Sequence, residues 1–87
     1  MSKITRAEIE WKVKDILINV ECVPEDKILP EAKLMEDFKM DSLDMVQLIM
    51  HVEKAFSLTI TDDKVYELHG RTFKEFCDFI ENEIHTL

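Results

Sequence analysis

Three stretches of this chain carry apolar residues at three- and four-residue spacing, and each opens on a residue suited to cap a helix. Thr5-Arg6-Ala7-Glu8 and Thr72-Phe73-Lys74-Glu75 are capping boxes, in which a threonine and a glutamate three positions on satisfy each other's backbone amides. Ile9, Val13, Ile16, Leu17 and Val20 follow the first box and predict a helix over about 5–20, with Trp11 and Ile18 flanking the core at the surface. Phe73, Phe76, Cys77, Ile80 and Ile84 follow the second, with Phe79 beside them. A single Gly and two Pro suit helices better than a turn-rich sheet protein. A chain of 87 residues can build one core. The expected architecture is a single all-α domain over 1–87, a monomeric four-helix bundle with three longer helices and one short.

Residues 21–40 hold both prolines, Pro24 and Pro30, and lack sustained periodicity. They predict a long loop after the first helix, with Leu29, Leu34 and Phe38 as its anchors in the core. Leu58-Thr59-Ile60 alternates like a strand but has no run to pair with, so it reads as an extended linker. Thr61-Asp62-Asp63 offers a cap and two first-turn acids to a short helix ending near His69, after which Gly70 is expected in the left-handed conformation.

The stretch from Ser42 to Phe56 is apolar on two faces. Met45, Leu48, Ile49, Val52 and Phe56 form one stripe, and Leu43, Val46 and Met50 form another. A helix in so small a domain buries one such stripe in its own fold; the second lies at the core's margin or serves docking.

Eleven basic and 19 acidic residues give a net charge of −8, which argues against nucleic acid or an anionic membrane as partner. Residues 21–63 alone hold eleven acids and four bases, so a partner docking there is expected to be basic. No apolar run has the length of a signal peptide or membrane span, and the expected location is cytoplasmic. Cys22 and Cys77 have no metal-ligand spacing and read as reduced thiols, one in a loop and one in the core. His51, His69 and His85 are scattered over different segments. Asp37, Asp41 and Asp44 lack the alternation, central Gly and terminal Glu of a calcium loop. With no nucleophile and base paired at short range and no metal set, the chain is not expected to be an enzyme.

Ser42 stands at the start of the two-faced helix. Asp41 is the better N-cap, with Asp44 three residues on, whereas Ser42 as a cap would want Glu or Gln at position 45, which is Met. This frees Ser42 at the first helical position with its hydroxyl toward solvent, although the residues alone leave capping and attachment both open. The run Leu34-Met35-Glu36-Asp37-Phe38-Lys39-Met40-Asp41-Ser42-Leu43-Asp44-Met45-Val46-Gln47-Leu48 resembles the acyl carrier proteins. The resemblance extends more loosely over nearly the whole chain. It implies that Ser42 carries 4′-phosphopantetheine, installed from coenzyme A by a phosphopantetheinyl transferase, and that acyl-transferring and chain-extending enzymes with basic patches are the other partners. Docking would then fall to Asp37, Asp41, Leu43, Asp44, Val46, Gln47, Met50 and Lys54. By the same resemblance, an acyl chain would shelter among Met45, Ile49, Val52, Ile60, Val65 and Leu68.

Two positions depart from the family's pattern: Lys39 stands where Gly is common, and Gln47 where Glu is common. Lys54 adds a positive charge on the same helix. The expected function is acyl carriage in fatty-acid or related biosynthesis. The alternatives are a specialised carrier, polyketide-like or D-alanyl, and an unmodified adaptor that docks through its second apolar stripe.

Overall fold

Periodicity and capping translate into four helices in the computed structural model, which describes residues 4–86. Residues 1–3 and 87 of the expected 1–87 domain lie outside the described residues. The helices are α1 (Arg6–Asn19), α2 (Ser42–Phe56), the short α3 (Asp62–Leu68) and α4 (Phe73–His85). Both Thr-x-x-Glu boxes close, Thr5 with Glu8 and Thr72 with Glu75. α1 packs against α4 and α2, and α3 against α2. Ile9, Val13, Leu17, Leu48, Phe76 and Ile80 lie fully buried in a core that also takes in Met45, Val52 and Cys77. Arg6 ties the start of α1 to α4, its guanidinium meeting Asp78 and Glu81 while it also pairs with Glu10 on its own helix.

Two expected core residues are exposed. Val20 falls on the C-cap of α1, where the amides of Val20 and Glu21 both bond to the Ile16 carbonyl; the turn swings Val20 outward and brings in Val23 instead. Leu29 is exposed because the chain passes through a 3₁₀ turn, Glu25–Lys27, which delivers its neighbour Ile28 to the core. Leu34 and Phe38 are anchors as expected, joined by Ala32 and Met40. Backbone bonds from Leu34 to Arg71, Phe73 to Ala32 and Lys74 to Pro30 fasten this long connection to the start of α4.

Gly70 is not left-handed. The chain leaves α3 through His69 in right-handed geometry, the His69 amide donating to the Tyr66 carbonyl and the Arg71 amide to that of Leu68, so the freedom of glycine goes unused. Thr61 is the N-cap of α3 by position, but its side chain makes no capping bond. Among the described residues the left-handed ones are Cys22, Lys39 and Ser57, with φ of 59°, 55° and 56°. Lys39 therefore holds a strained conformation at a bend that glycine would adopt freely. Removing its Cβ relieves roughly 1–2 kcal/mol, and the freer unfolded chain returns about 0.4–1 kcal/mol of that. Lys39→Gly is expected to raise the unfolding free energy by about 0.5 kcal/mol, and the β-branched Lys39→Val to lower it, both measured by urea denaturation.

Candidate functional site

The site begins with two aspartates. Asp41 Oδ1 accepts from the Asp44 amide at 2.9 Å, and the Asp41 amide donates to Asp44 Oδ2 at 3.2 Å, closing a capping box at the start of α2. Ser42 sits inside this box at the first helical position, exposed, while Asp41 performs the cap. Its hydroxyl is thus presented at the end of a helix whose dipole and free amides favour an anion, against the opposing charges of Asp41 and Asp44.

Ser42 lines a cavity of about 300 Å³ between α2 and α3, together with Val46, Asp62, Val65, Tyr66 and His69. A second cavity of about 210 Å³ is lined by Ile49, Met50, Glu53 and Ile60, and shares Val46, Asp62 and Val65 with the first. The shared walls make one trough that begins at Ser42 and runs along α2. Glu53 Oε2 accepts from the Ile60 amide at 2.8 Å, which fixes the linker's Ile60 at the trough's inner end. Of the six residues expected to shelter a chain, Ile49, Ile60 and Val65 line this trough, whereas Met45, Val52 and Leu68 are buried behind it in the core. Tyr66, which the sequence did not mark, and His69, read there only as one of three scattered histidines, complete the wall nearest Ser42. Their three-residue spacing, from the last turn of α3 to its C-cap, was the sign that they share a face.

The second apolar stripe of α2 is outside the core: Leu43 is 66% exposed, Val46 44% and Met50 53%. Gln47 and Lys54 are exposed at positions that continue the same face, and Lys54 lies in the last turn. Asp41 is exposed and Asp44 half-buried. Asp37 is not brought to the Ser42 cavity. Its carboxylate accepts from the Lys33 amide at 2.6 Å, and it lines a separate groove with Asp26, Lys27 and Leu29.

Glu21 is an acid of this region that the sequence did not mark. Burial raises its carboxyl pKa, the charges of Asp44 and Asp41 raise it further, and His51 opposes them; Oε2 is buried without a hydrogen-bond partner. A carboxyl held above its unfolded value takes up its proton more readily in the folded chain, so its destabilising effect is full above the folded pKa and disappears as the pH falls below the unfolded one. Glu75, lowered chiefly by its bond with the Thr72 backbone, and Asp78, lowered chiefly by Arg6, act the opposite way. Their stabilisation is present above their unfolded pKa values and is lost as the pH falls through the folded ones. The melting temperature is therefore expected to rise on mild acidification from neutrality and then to fall. Glu21→Gln should raise it at pH 7 and flatten the rise; a pH profile indistinguishable from wild type would contradict this assignment.

The two cysteines differ in kind. Cys77 is fully buried and its thiol is pushed up to about 12, chiefly by burial, which leaves it protonated and unreactive; Cys22 is exposed in the loop. Among the described residues no group of three or more His, Cys, Asp or Glu is arranged to hold a metal, and no helix is long and apolar enough to cross a membrane.

The family model for a phosphopantetheine attachment site matches residues 11–80. The chain is similar to the acyl carrier protein of Thermosynechococcus vestitus, 38% identical over 81 residues that cover 93% of this chain and 98% of that protein. It is also similar to the acyl carrier protein of Chlorobium phaeovibrioides, 39% identical over 77 residues covering 88% of this chain and 96% of the relative.

Proposed function

This chain belongs to the acyl carrier proteins, a family of carriers rather than enzymes whose covalent group is 4′-phosphopantetheine, and on that premise we propose that Ser42 is its attachment point and that it shuttles thioester-linked acyl groups in fatty-acid or related biosynthesis. The observation that carries the reading is the exposed Ser42 hydroxyl, relieved of capping by Asp41 and opening on the trough between α2 and α3. The residues fit the group: a phosphodiester at Ser42 meets a helix N-terminus, and the remainder of an arm has a lined path to follow. The arm supplies a thiol that holds the acyl group as a thioester. In the attachment step the Ser42 oxygen bonds to the pyrophosphate phosphorus of coenzyme A that bears the pantetheine. The bond from that phosphorus to the adenosine bisphosphate half breaks, and the hydroxyl proton passes to a base of the transferase. The test is the intact mass of the chain after incubation with coenzyme A and a promiscuous phosphopantetheinyl transferase. A gain of one phosphopantetheinyl group supports the reading, and an unchanged mass would leave the unmodified-adaptor alternative.

Partner enzymes meet the chain, in this reading, on the face of Leu43, Val46, Gln47, Met50 and Lys54, with Asp41 and Asp44 at the Ser42 end attracting Lys or Arg. Exposed charges act mainly on encounter rates, which suits a shuttle that must leave each partner. Asp44→Lys is expected to slow transferase association on the order of tenfold at low salt, with the deficit shrinking as screening shortens to about 8 Å at physiological ionic strength. Val46→Ala and Met50→Ala should weaken docking with little dependence on salt. Stopped-flow association at several ionic strengths separates the two classes. Lys54 and Gln47 favour a specialised carrier as the second reading, because they remove negative charge from the docking face. Improved turnover of Gln47→Glu/Lys54→Glu with fatty-acid enzymes would support that alternative.

A further inference from the structure

The trough wall nearest Ser42 is aromatic, and one of its residues carries a buried, unsatisfied polar atom. Tyr66 is 76% exposed, and its ring lies 5.4 Å from that of His69, centroid to centroid, at an interplanar angle of 43°. An aromatic side chain so exposed contributes little to the core, and both rings line the same cavity as Ser42. His69 Nε2 is buried and has no hydrogen-bond partner. An orphaned ring nitrogen costs free energy unless something satisfies it, and nothing in the surrounding core does so.

Resting on the reading of Ser42 as attachment point, the geometry points to Tyr66 and His69 as positioning residues for the phosphopantetheine arm itself. The arm has the complementary chemistry: a geminal dimethyl carbon and a hydroxyl close to the phosphate, then two amides. Tyr66 offers a flat apolar face to the methyl groups, and a turn of the His69 ring would bring its unpartnered Nε2 to the hydroxyl or first amide of the arm. Anything attached to Ser42 meets these two rings before it reaches Ile49 and Ile60 at the inner end, because Val46, Asp62 and Val65 join the outer cavity to the inner one. Laid along this wall, the arm directs its thiol and a short acyl group inward rather than into solvent. Tyr66 and His69 thereby set how long the cargo stays sheltered.

The experiment uses the chain loaded from coenzyme A with ¹³C in the geminal methyls and ¹⁵N in the pantetheine amides, with loading first verified by intact mass. Nuclear Overhauser cross-peaks from the labelled methyls to the Tyr66 or His69 ring are expected. So are arm-amide order parameters above about 0.6 in the wild type that fall below it in Tyr66→Ala and in His69→Ala. Tyr66→Ala removes an exposed ring, so its fold provides the control against simple unfolding. A loaded chain whose methyls touch neither ring, or whose arm is equally mobile in wild type and both variants, overturns the positioning role while leaving attachment at Ser42 intact. A chain that gains no mass removes the Ser42 reading and this inference together.

Discussion

Ser42→Ala is expected to abolish phosphopantetheine loading entirely while leaving the fold as stable as wild type to within a few tenths of a kcal/mol. The two outcomes separate because the hydroxyl is exposed and the cap belongs to its neighbour: Asp41 Oδ1 holds the Asp44 amide whether or not Ser42 has an oxygen. The control runs the other way. Asp41→Ala removes the cap and should cost about 1 kcal/mol of stability, yet it keeps the nucleophile, so loading still reaches completion, only more slowly for want of the Asp41 charge. Intact mass and thermal melting on the two variants give a crossed pattern. Residual loading of Ser42→Ala would mean that another hydroxyl accepts the arm.

The largest effect on the fold is expected at Phe76. Its ring is the largest side chain that is fully buried, on the helix that packs against α1, and core Phe→Ala substitutions cost about 3–5 kcal/mol. A domain of this length has a total of roughly 4–13 kcal/mol. Phe76→Ala should therefore lower the melting temperature by more than about 12 °C, at roughly 4–8 °C per kcal/mol, and bring part of the population to unfolding near physiological temperature. Trp11→Ala, which truncates a large but exposed ring, is the contrast and should change it little.

Most of the fold was legible because helix boundaries here are written in local chemistry. Thr5, Asp41 and Thr72 each cap a helix with an acid three residues on, so the starts of α1, α2 and α4 follow from pairs of residues close in sequence. The misplaced residues, Val20, Leu29 and Gly70, all lie where a chain leaves a helix or threads a loop. There, a tertiary turn decides which side chain faces inward, and periodicity has ended. Gly70 illustrates the limit: glycine permits the left-handed conformation without requiring it, while Lys39 and Ser57 adopt it under the demands of the bend and of the α2 C-cap.

At the site, the exposed stripe of Leu43, Val46 and Met50 was readable because one helix in a small domain cannot bury two faces. The trough between α2 and α3 was only half readable. Sequence spacing identifies the apolar residues of α2 and α3, but Met45, Val52 and Leu68 spend that character on the core, and the wall falls instead to Tyr66 and His69. Glu21 escaped notice for a related reason. Nothing in its neighbourhood along the chain reveals that folding sets it beside Asp41 and Asp44.

The central claim is that one hydroxyl, at the start of α2, carries the arm. It is tested most directly by digesting the loaded wild-type chain and fragmenting its peptides in a mass spectrometer, reading which peptide releases the pantetheine. Release only from the peptide containing Asp41-Ser42-Leu43 is the predicted result. Release from a peptide carrying Ser57, about 20 Å away at the other end of a 15-residue helix, or from none, would contradict it.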